Sequence, residues 1–235
     1  MQDATSSNNS CIATLFESLQ NPEKACAVMS QQAGEHFSWH GPKPFKSCSS
    51  VEEWYSTFWL PFLNAFSEVS RDTHMLFGGI SHGKADNTTD GKAWVGATGY
   101  YEGVFSNSWL GFEPTHKVVK LRWGEFFHFE DNKIVEMYTL IDIIDFLQQI
   151  NRNPLPPSHG TDFIYPSPTG VSGILLSESE PSETDKSMRL IREFLFEGLN
   201  NFNKEDLTSM GVADFFHDNV KWYGPGGVGG CLSLK

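Results

Sequence analysis

The change of hydrophobic period near residue 70 constrains this chain more than any other feature. Upstream, Ser50 and Glu53 form a capping box, and Val51, Trp54, Tyr55, Phe58, Trp59 and Phe62 follow at i, i+3, i+4, i+7, i+8 and i+11. That spacing places them all on one face of a helix. Pro61 is expected to bend or end it, because proline lacks an N–H and its ring crowds the carbonyl four residues back. Downstream the period becomes two. Residues 71–77, 93–101, 118–129 and 133–140 are rich in β-branched and aromatic side chains and predict four strands. Shorter signals precede them: helices over 11–19 and 23–29, and a strand over 35–40 ending at Gly41-Pro42. A last helix is expected over 142–150. Helices followed by a run of strands give an α+β domain, with helices laid on one face of a curved, mixed and mostly antiparallel sheet.

The turn Glu130-Asp131-Asn132-Lys133 decides which side chains share a sheet face. A three-residue loop with a bulge at Asn132 pairs His128 with Glu136 and aligns His128, Glu136, Tyr138 and Asp142 on one side. A two-residue loop flips the parity and separates His128 from Asp142. Both registers are open at this level.

Residues 151–184 carry many Pro and Ser and no periodicity, and are read as a linker between a first domain, 1–150, and a C-terminal region, 185–235. Within that region Met188, Ile191, Leu195 and Leu199 fall on one helical face. The segment FESLQNPEKACAVMSQQAGEHFSWHGP is echoed by EGLNNFNKEDLTSMGVADFFHDNVKWYGP, in the order helix, helix, strand, W-x-G-P. The C-terminal region is therefore read as an incomplete second copy holding only helices and a first strand. Its unpaired strand and apolar helix face are expected to pack on the first domain or on a second chain, as in a homo-oligomer, or else to stay loosely ordered.

Charge narrows the partners. With 29 acidic residues against 17 Lys and Arg, the net charge is −12, and no basic stripe exists for nucleic acid or anionic membrane. Cys11, Cys26, Cys48 and Cys231 have neither C-x-x-C nor regular spacing, and the N-terminal residues lack a signal-peptide pattern. A soluble cytoplasmic protein is the expectation. The histidines show no metal-ligand spacing.

Four segments, WLPFLNAF (59–66), GYYEGVF (99–105), WLGFEPTHK (109–117) and FFHFEDNKIVEMYTLIDIIDFLQQI (126–150), together resemble the SnoaL-like polyketide cyclase or ester cyclase family. The resemblance spans roughly 12–150, and tandem domains are familiar in that family. It implies a nuclear-transport-factor-2-like fold, a cone-shaped apolar pocket, no metal and no cofactor. The implied activity is aldol cyclisation or isomerisation of a hydrophobic carbonyl compound by an aspartate acting as general acid/base. The family's W-x-x-x-D-x-x-x-L-x-Q pattern falls on Tyr138, Asp142, Leu147 and Gln148 with one slip, and its auxiliary histidine falls on His128. Catalysis is thus expected from Asp142 and His128, with Trp39, His40, Trp54, Phe58, His74, Tyr101 and Tyr138 around the substrate. Tyr100-Tyr101 stands where the family commonly has Thr-His.

The residues permit plainer readings. Asp142 opens the Asp-Ile-Ile-Asp-Phe-Leu helix and is also suited to N-cap it. His128 also reads as a strand histidine with a satisfied hydrogen bond, and the aromatic stripe of 54–59 as plain core. Arg122 with Asp142 matches the Asp–Arg arrangement of epoxide hydrolases on the same fold. The alternative to an enzyme is a non-catalytic small-molecule binding module, or a degenerate homologue, that keeps a pocket without the chemistry.

Overall fold

The aromatic helix face finds its partner on one side of a five-stranded sheet. The computed structural model describes residues 4–19, 21–81, 91–157, 161, 164–167, 173–177 and 180–233; two of the histidines read above as lacking metal-ligand spacing, His82 and His159, lie outside them. Helices α1 (Ala4–Leu19) and α2 (Pro22–Gln32) lead into strand β1 (Ala33–His40). Helix α3 (Val51–Trp54) continues without a break through a π-turn (Tyr55–Trp59) into α4 (Leu60–Ala65). Strands β2 (Phe66–Ile80), β3 (Ala93–Phe105), β4 (Val118–Glu130) and β5 (Lys133–Ile141) follow, then α5 (Ile143–Gln149). The sheet order is β1-β5-β4-β3-β2, with β1 parallel to β5 and the remaining pairs antiparallel.

Ser50 caps α3 as its sequence predicts: its Oγ accepts from Glu53 N at 3.1 Å, while the Glu53 carboxylate accepts from Ser49 N. Pro61 does not end the helix, which runs on to Ala65. The chain widens into the π-turn just before it, with Leu60 N donating to Tyr55 O, so the missing proline N–H is accommodated within a continuous helix.

The hairpin resolves the register in a way neither sequence alternative contains. Asp131 and Asn132 both take positive φ, 47° and 59°, and form a two-residue turn between the paired Glu130 and Lys133. Phe129 pairs with Ile134, but His128 pairs with Glu136, so Val135 is a bulge residue that restores the parity the short turn had flipped. His128, Glu136, Tyr138 and Asp142 consequently share a face.

That face is the outer one. The helix-covered inner face carries Trp39, Met137, Phe127 and Val95 in one cross-strand row, and Ala97, Glu125 and Thr139 in another. Against it pack Phe16, Trp54, Phe58, Trp59 and Phe62, all 4% exposed or less. Trp39 stacks on Phe58 at 5.1 Å and donates its indole N–H to Thr139 Oγ1 at 2.9 Å.

The C-terminal region lacks a sheet among its described residues. Helix α6 (Pro181–Glu193) runs through a second π-turn (Phe194–Gly198) into 3-10 turns, and helix α7 (Val212–Phe215) follows. Two stretches of the 151–184 segment pack on the first domain: Gly173 and Leu175 bond the backbone of Leu76 at the β2 edge, and Tyr165 is buried. A local correspondence links the two ends of the chain. Trp39 and Cys48 exchange backbone bonds of 2.8 and 2.9 Å, and Trp222 and Cys231 exchange bonds of 2.8 and 3.1 Å. Each closes a W-x-G-P-x-x-x-x-x-C loop. In both, a Cβ on the glycine would run into the preceding tryptophan, 2.2 Å away at Gly41 and 2.9 Å at Gly224.

Candidate functional site

The expected constellation divides between the two sheet faces. Trp39, Trp54, Phe58 and Tyr101 lie inside, at 0–1% exposure, whereas His40, His128, Tyr138 and Asp142 lie outside. The wall of Trp39, Trp54, Phe58 and Tyr138 expected around Asp142 is therefore not formed, because alternate residues of a strand point to opposite faces. Nor do His128 and Asp142 meet. They share a face, but Asp142 lies opposite Arg122, whereas His128 sits six residues farther along β4, roughly 20 Å away at 3.3 Å per residue.

His128 belongs to an outer-face cluster instead. Its ring stacks on Trp94 at 5.0 Å, with Glu130 and Glu136 carboxylates at 3.6 and 3.9 Å. His40 stacks on Tyr138 at 4.6 Å and reaches Glu136 at 3.2 Å. The Tyr138 hydroxyl donates to Glu136, a bond to a carboxylate that raises its pKa above the ordinary value. His74 lies beside Asp72 at 2.9 Å and against the Tyr100 ring. No group of three or more metal-ligating side chains forms among the described residues.

The inner face holds a polar group that sequence reasoning missed. Arg71 from β2, Tyr101 from β3 and Glu125 from β4 meet in the core, with Arg71 Nη2 2.6 Å from Glu125 and Nη1 donating to the Tyr101 hydroxyl. The guanidinium sits in the corner between the Phe16 ring at 3.5 Å and the Trp123 ring at 3.7 Å, which meet edge to face. Burial drives the Tyr101 phenol well above its ordinary pKa. A cavity of about 250 Å³ reaches Arg71 between Phe16, Thr73, Leu76 and Ile174. The available signal was a charged residue at inward parity on each of two strands.

Asp142 occupies the other site. It follows the last residue of β5 and N-caps α5, accepting from Asp145 N on Oδ1 at 3.0 Å. Its Oδ2 accepts from Arg122 Nη2 at 2.5 Å and from Gly226 N at 2.9 Å. Arg122 also donates to the carbonyls of Tyr223 at 3.2 Å and Gly224 at 2.8 Å. The pair is largely buried, at 16% and 10% side-chain exposure, and the C-terminal W-x-G-P turn lies over it. Gln149, one residue beyond the expected Gln148, is the amide that anchors α5: it bonds both N and O of Lys120 on β4.

Beside this pair runs a cleft of about 640 Å³ on the outer face. Met75, Thr98, Gly124 and Leu140 are one cross-strand row and form its floor. Pro42 and Lys43 line it from the first W-x-G-P loop, and Tyr223 and Pro225 from the second. Asp142, Arg122, Ile143 and Ile144 complete the wall. An apolar floor with one charged pair at its margin suits a hydrophobic molecule bearing a polar group.

No family model and no curated protein matches the chain. Solved structures do. A candidate SnoaL-like polyketide cyclase from Jannaschia sp. CCS1 superposes with a TM-score of 0.53 at 15% identity, covering 66% of this chain and 98% of that one. IdmH, a candidate polyketide cyclase from Streptomyces antibioticus, gives 0.49 at 16% identity over 61% and 98%. An NTF2-like protein from Burkholderia thailandensis gives 0.46 at 14% identity over 63% and 98%. The Jannaschia match leaves about a third of this chain outside the shared fold. At such identities likeness speaks for architecture alone, and the fold shared with the Jannaschia protein is a nuclear-transport-factor-2-like α+β arrangement of helices on a five-stranded, mostly antiparallel sheet.

Proposed function

We propose that this chain is a SnoaL-like small-molecule enzyme that moves a proton on a hydrophobic carbonyl compound, by aldol cyclisation or isomerisation, with Asp142 as its acid/base group. The observation that carries this reading is the position of Asp142 in the wall of the apolar outer-face cleft. A carboxylate offers about four lone-pair sites. Three are engaged by Arg122, Gly226 N and Asp145 N, which leaves one on Oδ1 to accept a proton from a carbon acid. Arg122 stands ready to balance negative charge that develops on a carbonyl oxygen. His128 has no part in this reading, since it lies outside the cleft lining.

A second reading draws on the same bonds. Three donors stabilise the ionised carboxylate and weaken it as a base, which favours a binding module that keeps the cleft and has no turnover. We also propose that residues 185–233 derive from a second copy of the first domain's opening elements, supported by the matched Trp39–Cys48 and Trp222–Cys231 loops.

Deuterium exchange at the α-carbons of a panel of apolar 1,3-diketones, followed by NMR in D₂O, separates the two readings without the natural substrate. Enzyme chemistry predicts catalysed exchange that falls by about 10²–10⁴-fold in Asp142→Asn. Asparagine is also a good N-cap but removes the carboxylate beside the largely buried Arg122, so the melting temperature should fall and exchange is compared at a temperature where both proteins are folded. Saturable diketone binding with no exchange would favour the binding module, and exchange undiminished in Asp142→Asn would remove Asp142 from the chemistry.

A further inference from the structure

The contacts over the Arg122–Asp142 pair are those of a ligand in a site. Every group the turn offers to the pair is backbone: the carbonyls of Tyr223 and Gly224 accept from Arg122, and Gly226 N donates to Asp142 Oδ2. The Tyr165 hydroxyl adds a bond to Gly224 O at 3.2 Å, and its ring stacks on Tyr223 at 4.8 Å. A guanidinium beside a carboxylate presents donors and an acceptor at fixed spacing, which matches the alternating carbonyls and amides of a peptide turn. The fit also specifies glycine. A Cβ at position 226 would sit 2.6 Å from Asp145 N and 3.0 Å from Asp142 Oδ1.

The turn holds its own shape. Trp222 and Cys231 close it, and the amides of Val228 and Gly229 donate to Pro225 O at 3.0 and 3.1 Å. It buries little apolar surface in return: Trp222 is 59% and Val228 54% exposed. Ordering its five glycines costs conformational entropy, and each hydrogen bond returns only a small net stabilisation, because it replaces one to water.

We propose that the Arg122–Asp142 pair is a binding site for a Gly-Pro-Gly peptide turn, and that residues 222–231 fill it as a removable intramolecular ligand. The same turn offered by a separate peptide takes their place and uncovers the cleft wall. A tethered ligand competes at an effective concentration of roughly millimolar, so the free peptide binds the wild-type chain weakly and binds tightly once the internal turn is kept out.

The test uses the full chain with Gly226→Val, whose added side chain blocks the internal turn, and a fluorescent synthetic peptide of sequence KWYGPGGVGGCL. Anisotropy should report binding to Gly226→Val about tenfold or more tighter than to wild type. The same peptide carrying the valine should not bind, and neither should the original peptide bind Gly226→Val combined with Arg122→Lys, which keeps the charge and removes the fork. Equal affinity for wild type and Gly226→Val, no binding to either, or binding by the valine peptide would overturn the proposal. So would loss of cooperative melting in Gly226→Val, because the turn would then be an integral part of the fold. Peptide binding is measured without substrate, so the outcome stands apart from whether Asp142 moves a proton.

Discussion

Arg71 and Glu125 are 2% and 1% exposed at the side chain, and each is tolerable in the core only because the other is there. Arg71→Met should destabilise by about 3–5 kcal/mol, since Glu125 would be left as an uncompensated buried charge. The double variant Arg71→Met/Glu125→Gln should recover most of that loss in urea unfolding, and a double variant as unstable as the single one would show that packing of the guanidinium between Phe16 and Trp123 matters more than charge. Tyr101, in the same group, has its pKa raised chiefly by burial. The unfolded chain therefore loses this proton first as pH rises past the ordinary tyrosine value of about 10, and stability falls from there upward. Tyr100 and Tyr223 are raised by burial as well and act in the same direction. Urea midpoints should hold steady below about pH 9 and drop toward pH 11, with a smaller drop in Tyr101→Phe. An unchanged slope in that variant would mean Tyr101 does not carry the effect.

Among the elements, the β4–β5 hairpin has most control over the site. Val135 is one residue, yet without it every later side chain of β5 changes face, moving Tyr138 and Leu140 inward and Met137 and Ile141 outward. Deleting Val135 should abolish cooperative thermal unfolding. Val135→Ala keeps the extra residue and should cost about 1 kcal/mol. A deletion variant that melts cooperatively would show that the turn can lengthen to absorb the loss. Helix α5 depends on the same hairpin, because its N-cap directly follows β5 and its Gln149 is clamped to β4.

At the scale of the molecule, the chain combines a densely packed domain with a C-terminal region that buries little. Helix α6 has no buried residue, and Leu190, Ile191, Phe196, Leu199 and Phe202 are all exposed. Residues 151–157 are likewise exposed throughout. Limited proteolysis should therefore cut within 151–221 first and leave a resistant fragment ending near residue 150. A fragment that keeps 151–233 intact while the strands are cleaved would contradict this order of stability.

The sequence by itself determined the elements. Helical spacing over Val51–Phe62, the Ser50 cap and four period-two runs are local properties, and each strand falls where its run lies, though β2 extends well beyond residues 71–77. The resemblance to SnoaL-like cyclases pointed to the right fold because it rests on that ordered pattern. Facing was the part left open. Whether Trp54 and Asp142 share a wall depends on parity, and parity turned on a bulge at Val135 whose signal is one β-branched residue among several. Arg71, Tyr101 and Glu125 come from three strands, and no local pattern draws them together across 54 positions of chain. The W-x-G-P echo was legible at positions 39 and 222, but its seat on Arg122 and Asp142, about 80 residues or more upstream, was not. Local spacing sets which residues can form an element, whereas cross-strand register and long-range docking set which of them meet, and these are fixed only when the whole sheet and core pack at once.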